Sequence, residues 1–193
     1  MLFIILVLIL SIPSVQTKIG RYATKRINDT YKTNISIGGV GLQFNGDVEL
    51  LDILIRDFKM DTLISIKELN TSIISYRNIY NNKLNFGDID LYGLVFNLKT
   101  YKGETDTNLD VFVDKLDEDN PTASENPFLL SSSDITIEDG IFNIVDENKE
   151  DIEVLSISKL NANVTDFLID GPNVKPDSFM ILMLDLNASE EFP

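Results

Sequence analysis

The feature that most constrains the fold is a series of short alternating segments that begins at Asn34. In these segments every second residue is Ile, Leu, Val or Phe, and the residues between are mostly Asp, Asn, Ser, Thr and Glu. A period of two places the apolar side chains on one face of a strand and the polar ones on the other. Glycines and the Asn81-Asn82 pair separate the segments as turns or bulges. The sequence therefore predicts a mainly β protein of one-sided strands.

Two weak internal echoes indicate how the strands are organised. Asp47-Val-Glu-Leu50, Asp88-Ile-Asp-Leu91 and Asp134-Ile-Thr-Ile137 share one pattern, and each is followed by a further apolar strand. Residues 64–73 and 155–164 resemble each other in the same way, although alternating strands are alike by chance. These echoes favour strand pairs stacked along one axis over a closed compact sandwich.

The composition argues against an enzyme and against nucleic-acid binding. The chain has no Cys, His or Trp, which removes thiolate catalysis and the commonest general base and metal ligand. Nothing in the order of residues distinguishes a catalytic carboxylate pair, and we expect no cofactor and no metal. Residues 34–193 hold 11 basic and 30 acidic residues, so this part of the chain would repel phosphate backbones.

The first residues predict a membrane anchor. Met1 to Val15 is almost entirely aliphatic, and neither a preceding positive charge nor a small-residue cleavage site of a signal peptide accompanies it. As a helix it would span about 22 Å, short of the roughly 30 Å hydrocarbon core. We therefore expect residues 1–16 to be a transmembrane or signal-anchor helix whose upstream part is truncated.

Residues 17–33 predict a basic amphipathic helix beside that anchor, because apolar residues recur at helical spacing between basic ones. Such a helix would lie on anionic head groups. The residues expected at the membrane surface are Lys18, Arg21, Lys25 and Arg26. Loop charge alone would place this flank in the cytoplasm.

An acidic insertion at residues 104–127 separates two β regions, residues 34–103 and 128–193, the second expected to continue beyond the chain end. Leu109, Phe112, Val113 and Leu116 have helical spacing and predict a short helix followed by a loop. Asp106, Asn108, Asp110, Asp114 and Asp117 also match calcium-loop positions. Val111 replaces the glycine on which such a loop turns, so a solvated helix face is the preferred interpretation.

Several segments resemble TamB proteins of the AsmA-like family, of the type found in Bacteroidetes. The resemblance rests on residues 10–18, 33–38, 46–50, 61–63, 86–91 and 93–102. Their motifs are structural, with no catalytic signature. The resemblance implies an inner-membrane anchor and a periplasmic body, a long curled antiparallel-type sheet that forms an open groove. It also implies a role in outer-membrane biogenesis, through phospholipid transport or outer-membrane protein translocation and assembly (protein secretion), with an outer-membrane partner met by a missing C-terminal part.

In such a sheet, the apolar face would hold phospholipid acyl chains. The residues expected to line it are Ile35, Ile37, Leu42, Phe44, Val48, Leu50, Ile64, Ile66, Ile89, Leu91, Phe96, Ile135 and Ile137. For each of them an ordinary buried core position is an equally valid interpretation. A rival function is a scaffold that binds a client protein by strand addition without lipid. A third is a truncated product with no independent role, whose open sheet edge would make it aggregate.

Overall fold

The computed structural model of this chain describes residues 12–43, 45–72, 83–117, 129–149, 154–170, 173–174 and 180–185. These residues form two helices and ten strand segments. The elements in chain order are α1 (Pro13–Tyr31), β1 (Asn34–Leu42), β2 (Asp47–Arg56), β3 (Thr62–Ser72), β4 (Lys83–Asn85), β5 (Ile89–Tyr92), β6 (Val95–Thr100), α2 (Asn108–Asp117), β7 (Leu129–Asp146), β8 (Val154–Asp170), β9 (Asn173–Val174) and β10 (Met180–Asp185). The mainly β class predicted from the alternating segments is confirmed.

All ten strand segments belong to one sheet, whose main path runs β1-β2-β3-β5-β7-β8-β10. The sheet is mixed: β4, β5 and β6 pair with β7 in parallel, and the other pairs are antiparallel. The prediction of an antiparallel-type sheet is therefore wrong at β7. The physical reason lies in the acidic insertion, because parallel neighbours need a long crossover and α2 lies in the connection between β6 and β7.

The prediction that the sheet forms an open groove is also wrong for these strands. β5 and β6 follow each other along the chain, and each pairs with β3 on one side and with β7 on the other. The pairings of β3, β5, β6 and β7 therefore close into a four-stranded mixed circuit. Gly93, with a φ of 63°, lies in the short break between β5 and β6.

Two rows of apolar side chains run across the strands of the sheet. Cross-strand neighbours lie on the same face, so the strand register defines each row. The first apolar row is Ile35, Ile55, Ile64, Phe96, Phe142 and Ile157. The second apolar row is Val40, Leu50, Leu69, Leu91, Ile137 and Ala162.

Between the two rows, three strands and the break between β5 and β6 contain a residue with left-handed backbone geometry. These residues are Asp52, Gly93, Asp139 and Lys159, with φ between 52° and 63°. Asp52, Gly93 and Asp139 each follow by five residues the aspartate that opens one of the three internal echoes. The echoes at residues 88–91 and 134–137 pair directly with each other in parallel register. The echoes therefore mark equivalent places in one sheet.

The helix expected over residues 17–33 is confirmed as α1, which begins earlier, at Pro13, and ends at Tyr31. The short helix expected in the acidic insertion is confirmed as α2. No helix within the described ranges has both the length and the apolar composition that crossing a bilayer requires. Residues 1–11 lie outside those ranges, so the membrane anchor stays a prediction there. Its expected boundary at residue 16 is wrong, because residues 13–16 already belong to α1 and Gln16 bonds to β1.

Candidate functional site

Helix α1 lies along the free edge of β1 and occupies its backbone groups with side chains. The Gln16 amide donates to the Leu42 carbonyl at 2.8 Å and accepts from the Leu42 N–H at 3.1 Å. Asn28 makes the same pair of bonds with Ile35, at 2.7 and 2.9 Å. The Thr17 hydroxyl accepts from the Val40 N–H at 3.2 Å. These polar side chains supply partners that a neighbouring strand would otherwise supply, so this edge of the sheet is closed to strand addition.

Between α1 and the first three strands lies an open cleft of about 810 Å³. We call it the helix–sheet cleft. Its apolar wall includes Ile37, Ile53 and Ile66, which are direct cross-strand neighbours on β1, β2 and β3. The full lining is Arg21, Thr24, Lys25, Asn28, Asp29, Ile35, Ser36, Ile37, Gly38, Asp52, Ile53, Leu54, Ser65, Ile66 and Lys67.

Three cations and two carboxylates line the cleft beside that apolar wall. Lys25 donates to Asp29 at 2.6 Å, and this hydrogen bond raises the pKa of Lys25 above its usual value. Arg21 donates to the Gly38 carbonyl at 3.3 Å. The aliphatic part of Lys67 packs against Gly93, where a Cβ atom would collide with it. An apolar wall with cations near it matches the two ends of an anionic amphiphile.

The first apolar row extends from the cleft region toward β8. Within it, the rings of Phe96 and Phe142 stack with centroids 5.2 Å apart and planes 17° apart. All six members of this row are half-buried. Leu155, two residues before the last member of the row, is 56% exposed. The row is therefore accessible to an apolar ligand.

A second polar cluster, around Asp57, holds the β2–β3 turn against the start of α2. The Tyr101 hydroxyl lies 2.6 Å from Asp57 Oδ2 and 2.9 Å from Asp61 Oδ2. Asn108, which is 1% exposed, donates to Asp57 and to the Asn97 carbonyl. Burial, followed by these two carboxylates, raises the pKa of Tyr101 far above its usual range. Every polar group of the cluster has a partner within it, so we interpret the cluster as structural.

The residues expected to line a lipid-binding face have different positions in the sheet. Ile35, Ile37 and Ile66 line the helix–sheet cleft. Val48 and Ile89 are buried, as the core interpretation requires, whereas Leu42 is 41% exposed. Of the remaining predicted residues that the structure describes, Ile64 and Phe96 belong to the first apolar row and Leu50, Leu91 and Ile137 to the second, while Ile135 pairs with Ile89. Phe44 lies outside the described residues.

The residues expected at a membrane surface, Lys18, Arg21, Lys25 and Arg26, are all exposed on α1. The sequence interpretation missed Gln16 and Asn28, whose amides close the sheet edge. Their spacing with Gly20 and Thr24, four residues apart each time, was the available signal. The sequence interpretation also did not include Ile53, Phe142 and Lys67 among the site residues. Ile53 and Phe142 lie in alternating segments.

The calcium alternative has no support in the described residues. Asn108, expected as a ligand, uses its amide within the Asp57 cluster, and Asp110 accepts from the Thr107 hydroxyl and backbone N–H. Across the described ranges, no group of three or more acidic side chains is arranged to hold a metal ion.

Comparison with known protein families finds no family model that matches this chain, and comparison with curated proteins finds no similar sequence.

Proposed function

We propose that this chain is the lipid-handling segment of a membrane-tethered β-sheet protein of the TamB and AsmA-like kind. The apolar residues before α1 would anchor it in the inner membrane, and the sheet would stand in the periplasm and serve outer-membrane biogenesis. An outer-membrane assembly partner would be met by another part of the full protein. The observation that carries the proposal is the helix–sheet cleft, which combines an apolar wall with cations at the margin of a half-exposed apolar face.

The energetics suit a diffuse apolar site. A sixteen-carbon acyl chain would gain about 12 kcal/mol by full burial, at roughly 0.8 kcal/mol per methylene, before ordering costs are subtracted. The side chains of Ile37, Ile53 and Ile66 would contact the acyl chain of the lipid. Arg21, Lys25 and Lys67 would face the phosphate of its head group. Because no single contact dominates, the acyl chain could slide along the apolar rows.

The test is native mass spectrometry of the full chain after mild extraction from a membrane-containing host. We expect co-purifying phospholipid, and we expect Ile37→Asn and Ile66→Asn to reduce its occupancy while circular dichroism still reports a β-sheet. Ile141→Asn is the matched control, because Ile141 is 37% exposed and alternates with Phe142, so that it faces the other side of β7.

A folded chain without lipid, or lipid occupancy equal in all variants, would overturn the proposal. The scaffold that adds a client strand would then be the better account. Strand addition would have to occur away from β1, since side chains of α1 occupy the outward backbone groups of Ile35, Val40 and Leu42.

A further inference from the structure

Helix α1 packs with its polar side and exposes its apolar side, which is the reverse of an ordinary surface helix. Gln16 and Thr24 are buried against β1. The apolar stripe of α1 consists of Ile19, Tyr22 and Ile27 together with Ile12, the residue before the helix, and they are 51%, 72%, 37% and 46% exposed, respectively. Ile19 and Tyr22, three residues apart, share one side of the helix, whereas Ile12 and Ile27, four and eleven residues from Gln16, border the side that binds β1. An apolar stripe of this size on a helix that already has a packing partner indicates a second partner.

The charge around the stripe identifies the kind of partner. Lys18, Arg21, Lys25 and Arg26 are exposed on α1, whose single acid is Asp29. The chain as a whole carries a net charge of −15. Lys25 is paired with Asp29, whereas among the described residues no ion pair involves Lys18 or Arg26. An anionic surface attracts the cationic helix and repels the acidic remainder of the chain. The helix is therefore the part of the protein that such a surface would contact.

We propose that α1 docks the β1 edge of the sheet onto an anionic bilayer, with the apolar stripe in the acyl boundary and the basic side chains among the head groups. Exposed apolar residues flanked by Lys and Arg are what an interfacial helix requires. A second copy of the chain is the weaker occupant, because two such helices would bring like charges together. The expected contact is therefore a membrane that contains acidic lipids.

Docking in this way would bring the helix–sheet cleft to the membrane, since Arg21 and Lys25 belong both to α1 and to the cleft lining. This consequence rests on the proposed function, and the docking itself does not. A phospholipid leaving the bilayer would pass beside α1 before it reached the apolar wall formed by Ile37, Ile53 and Ile66.

The absence of tryptophan from the chain permits a direct test. The full chain carrying Tyr22→Trp is mixed with vesicles of phosphatidylcholine alone or with added phosphatidylglycerol. We expect a blue-shifted emission with the anionic vesicles, quenching by lipids brominated on the acyl chains, and binding at least about tenfold tighter than to the neutral vesicles. Tyr92→Trp is the matched control, because Tyr92 is exposed at the end of β5, and its emission should not change.

A variant in which Lys18, Arg21, Lys25 and Arg26 are all replaced by Gln should lose the preference for anionic vesicles and keep its circular dichroism. Vesicle binding without a shift or quenching of the Tyr22→Trp indole would overturn the docking, because contact would then lie elsewhere, as in the apolar residues 1–11. A blue shift that grows with protein concentration in the absence of vesicles would overturn it in favour of a second copy. Quenching of the indole in a chain that holds no phospholipid would leave the docking intact and remove the acyl-binding function.

Discussion

Tyr101 shows how a single hydroxyl can join three parts of the chain. Its ring packs edge-on against Phe58 with centroids 5.4 Å apart, and Lys99 lies 4.4 Å above the ring centroid. Its hydroxyl contacts the carboxylates of Asp57 and Asp61 at the two ends of the β2–β3 turn. Asp57 is 3% exposed, so without this hydroxyl and the Asn108 amide one of its oxygens would have no partner in a buried place.

We therefore expect Tyr101→Phe to lower the free energy of unfolding by about 1–3 kcal/mol, since the buried Asp57 Oδ2 then keeps only the longer hydrogen bond from Asn108. Urea unfolding followed by circular dichroism measures the change. Tyr92→Phe removes the same hydroxyl from an exposed ring and should change stability by less than about 0.5 kcal/mol. Equal effects of the two substitutions would contradict the role assigned to Tyr101.

The ion pair of Lys99 and Glu147 makes part of the stability depend on pH. Glu147 accepts from Lys99 Nζ at 2.7 Å and from the Lys102 N–H at 3.1 Å. The first bond is the largest cause of the lowered pKa of Glu147, below its ordinary 4.5. A lowered pKa in the folded state contributes stability above the ordinary pKa and loses it as the pH falls through the folded value.

We expect the urea midpoint of the unmodified chain to exceed that of Glu147→Gln near pH 6. The difference should shrink as the pH falls below 4.5 and vanish once Glu147 is protonated in the folded state. Urea titrations of both chains at several pH values provide the measurement. A difference that stays constant with pH would mean that the substitution acts through something other than the charge of Glu147.

At the scale of elements, the helix–strand pair of α1 and β1 solves the problem of an exposed sheet edge. A free edge strand presents unpaired N–H and C=O groups and invites pairing with another chain. Gln16 and Asn28 each satisfy both backbone groups of one β1 residue, because a side-chain amide carries a donor and an acceptor like a peptide group. Gly20 allows the close approach, since a Cβ atom there would collide with the Val40 side chain.

Replacing Gln16 and Asn28 together by Ala should expose this edge. We expect a loss of stability of about 1–3 kcal/mol for each site, together with concentration-dependent self-association through β1. Urea unfolding and sedimentation velocity test the two effects. Thr30→Ala, at an exposed position of the same helix, is the control and should do neither. A monomeric double variant of unchanged stability would show that these amides do not protect the edge.

At the scale of the whole molecule, the left-handed residues Asp52, Gly93, Asp139 and Lys159 separate the two apolar rows of the sheet. Where they occur, the apolar pattern advances by three residues instead of two, as from Leu50 to Ile53 and from Leu91 to Leu94. The register of β7 with β8 shifts on both sides of Gly140, next to Asp139. A bulge of this kind increases the local twist of the strand.

Asp139 tests this arrangement. Asp139→Gly should hold or raise stability, because glycine adopts positive φ without strain, and Asp139→Val should lower it by about 1–2 kcal/mol. The free energy of unfolding from urea titration is the measurement. Thr136→Val, in the same strand, exchanges one β-branched side chain for another and should have a smaller effect. If valine were tolerated at Asp139 as well as glycine, the left-handed geometry would not constrain this position.

Much of the fold could be predicted from local patterns. The alternation from Asn34 predicted one-sided strands, the spacing of Leu109, Phe112 and Val113 predicted α2, and the basic amphipathic stretch predicted α1. The three-residue steps between apolar pairs were present in the sequence as well. They could not be interpreted from the sequence alone, because a break in the two-residue alternation looks the same whether the chain turns or continues as one strand.

The sequence by itself determined which segments are strands, which face of each strand is apolar, and that positive charge is concentrated near the start of the chain. These properties depend on side-chain periodicity and composition, which need no knowledge of neighbours. Only the tertiary structure decided that β5 and β6 pair with β7 in parallel, that α1 turns its polar side to β1, and that Ile37, Ile53 and Ile66 form one wall. Strand partners far apart in sequence are chosen by the free energy of the whole sheet. Hydrogen bonding of the edge strand and the length of the crossover connection outweigh the preferences of each segment alone.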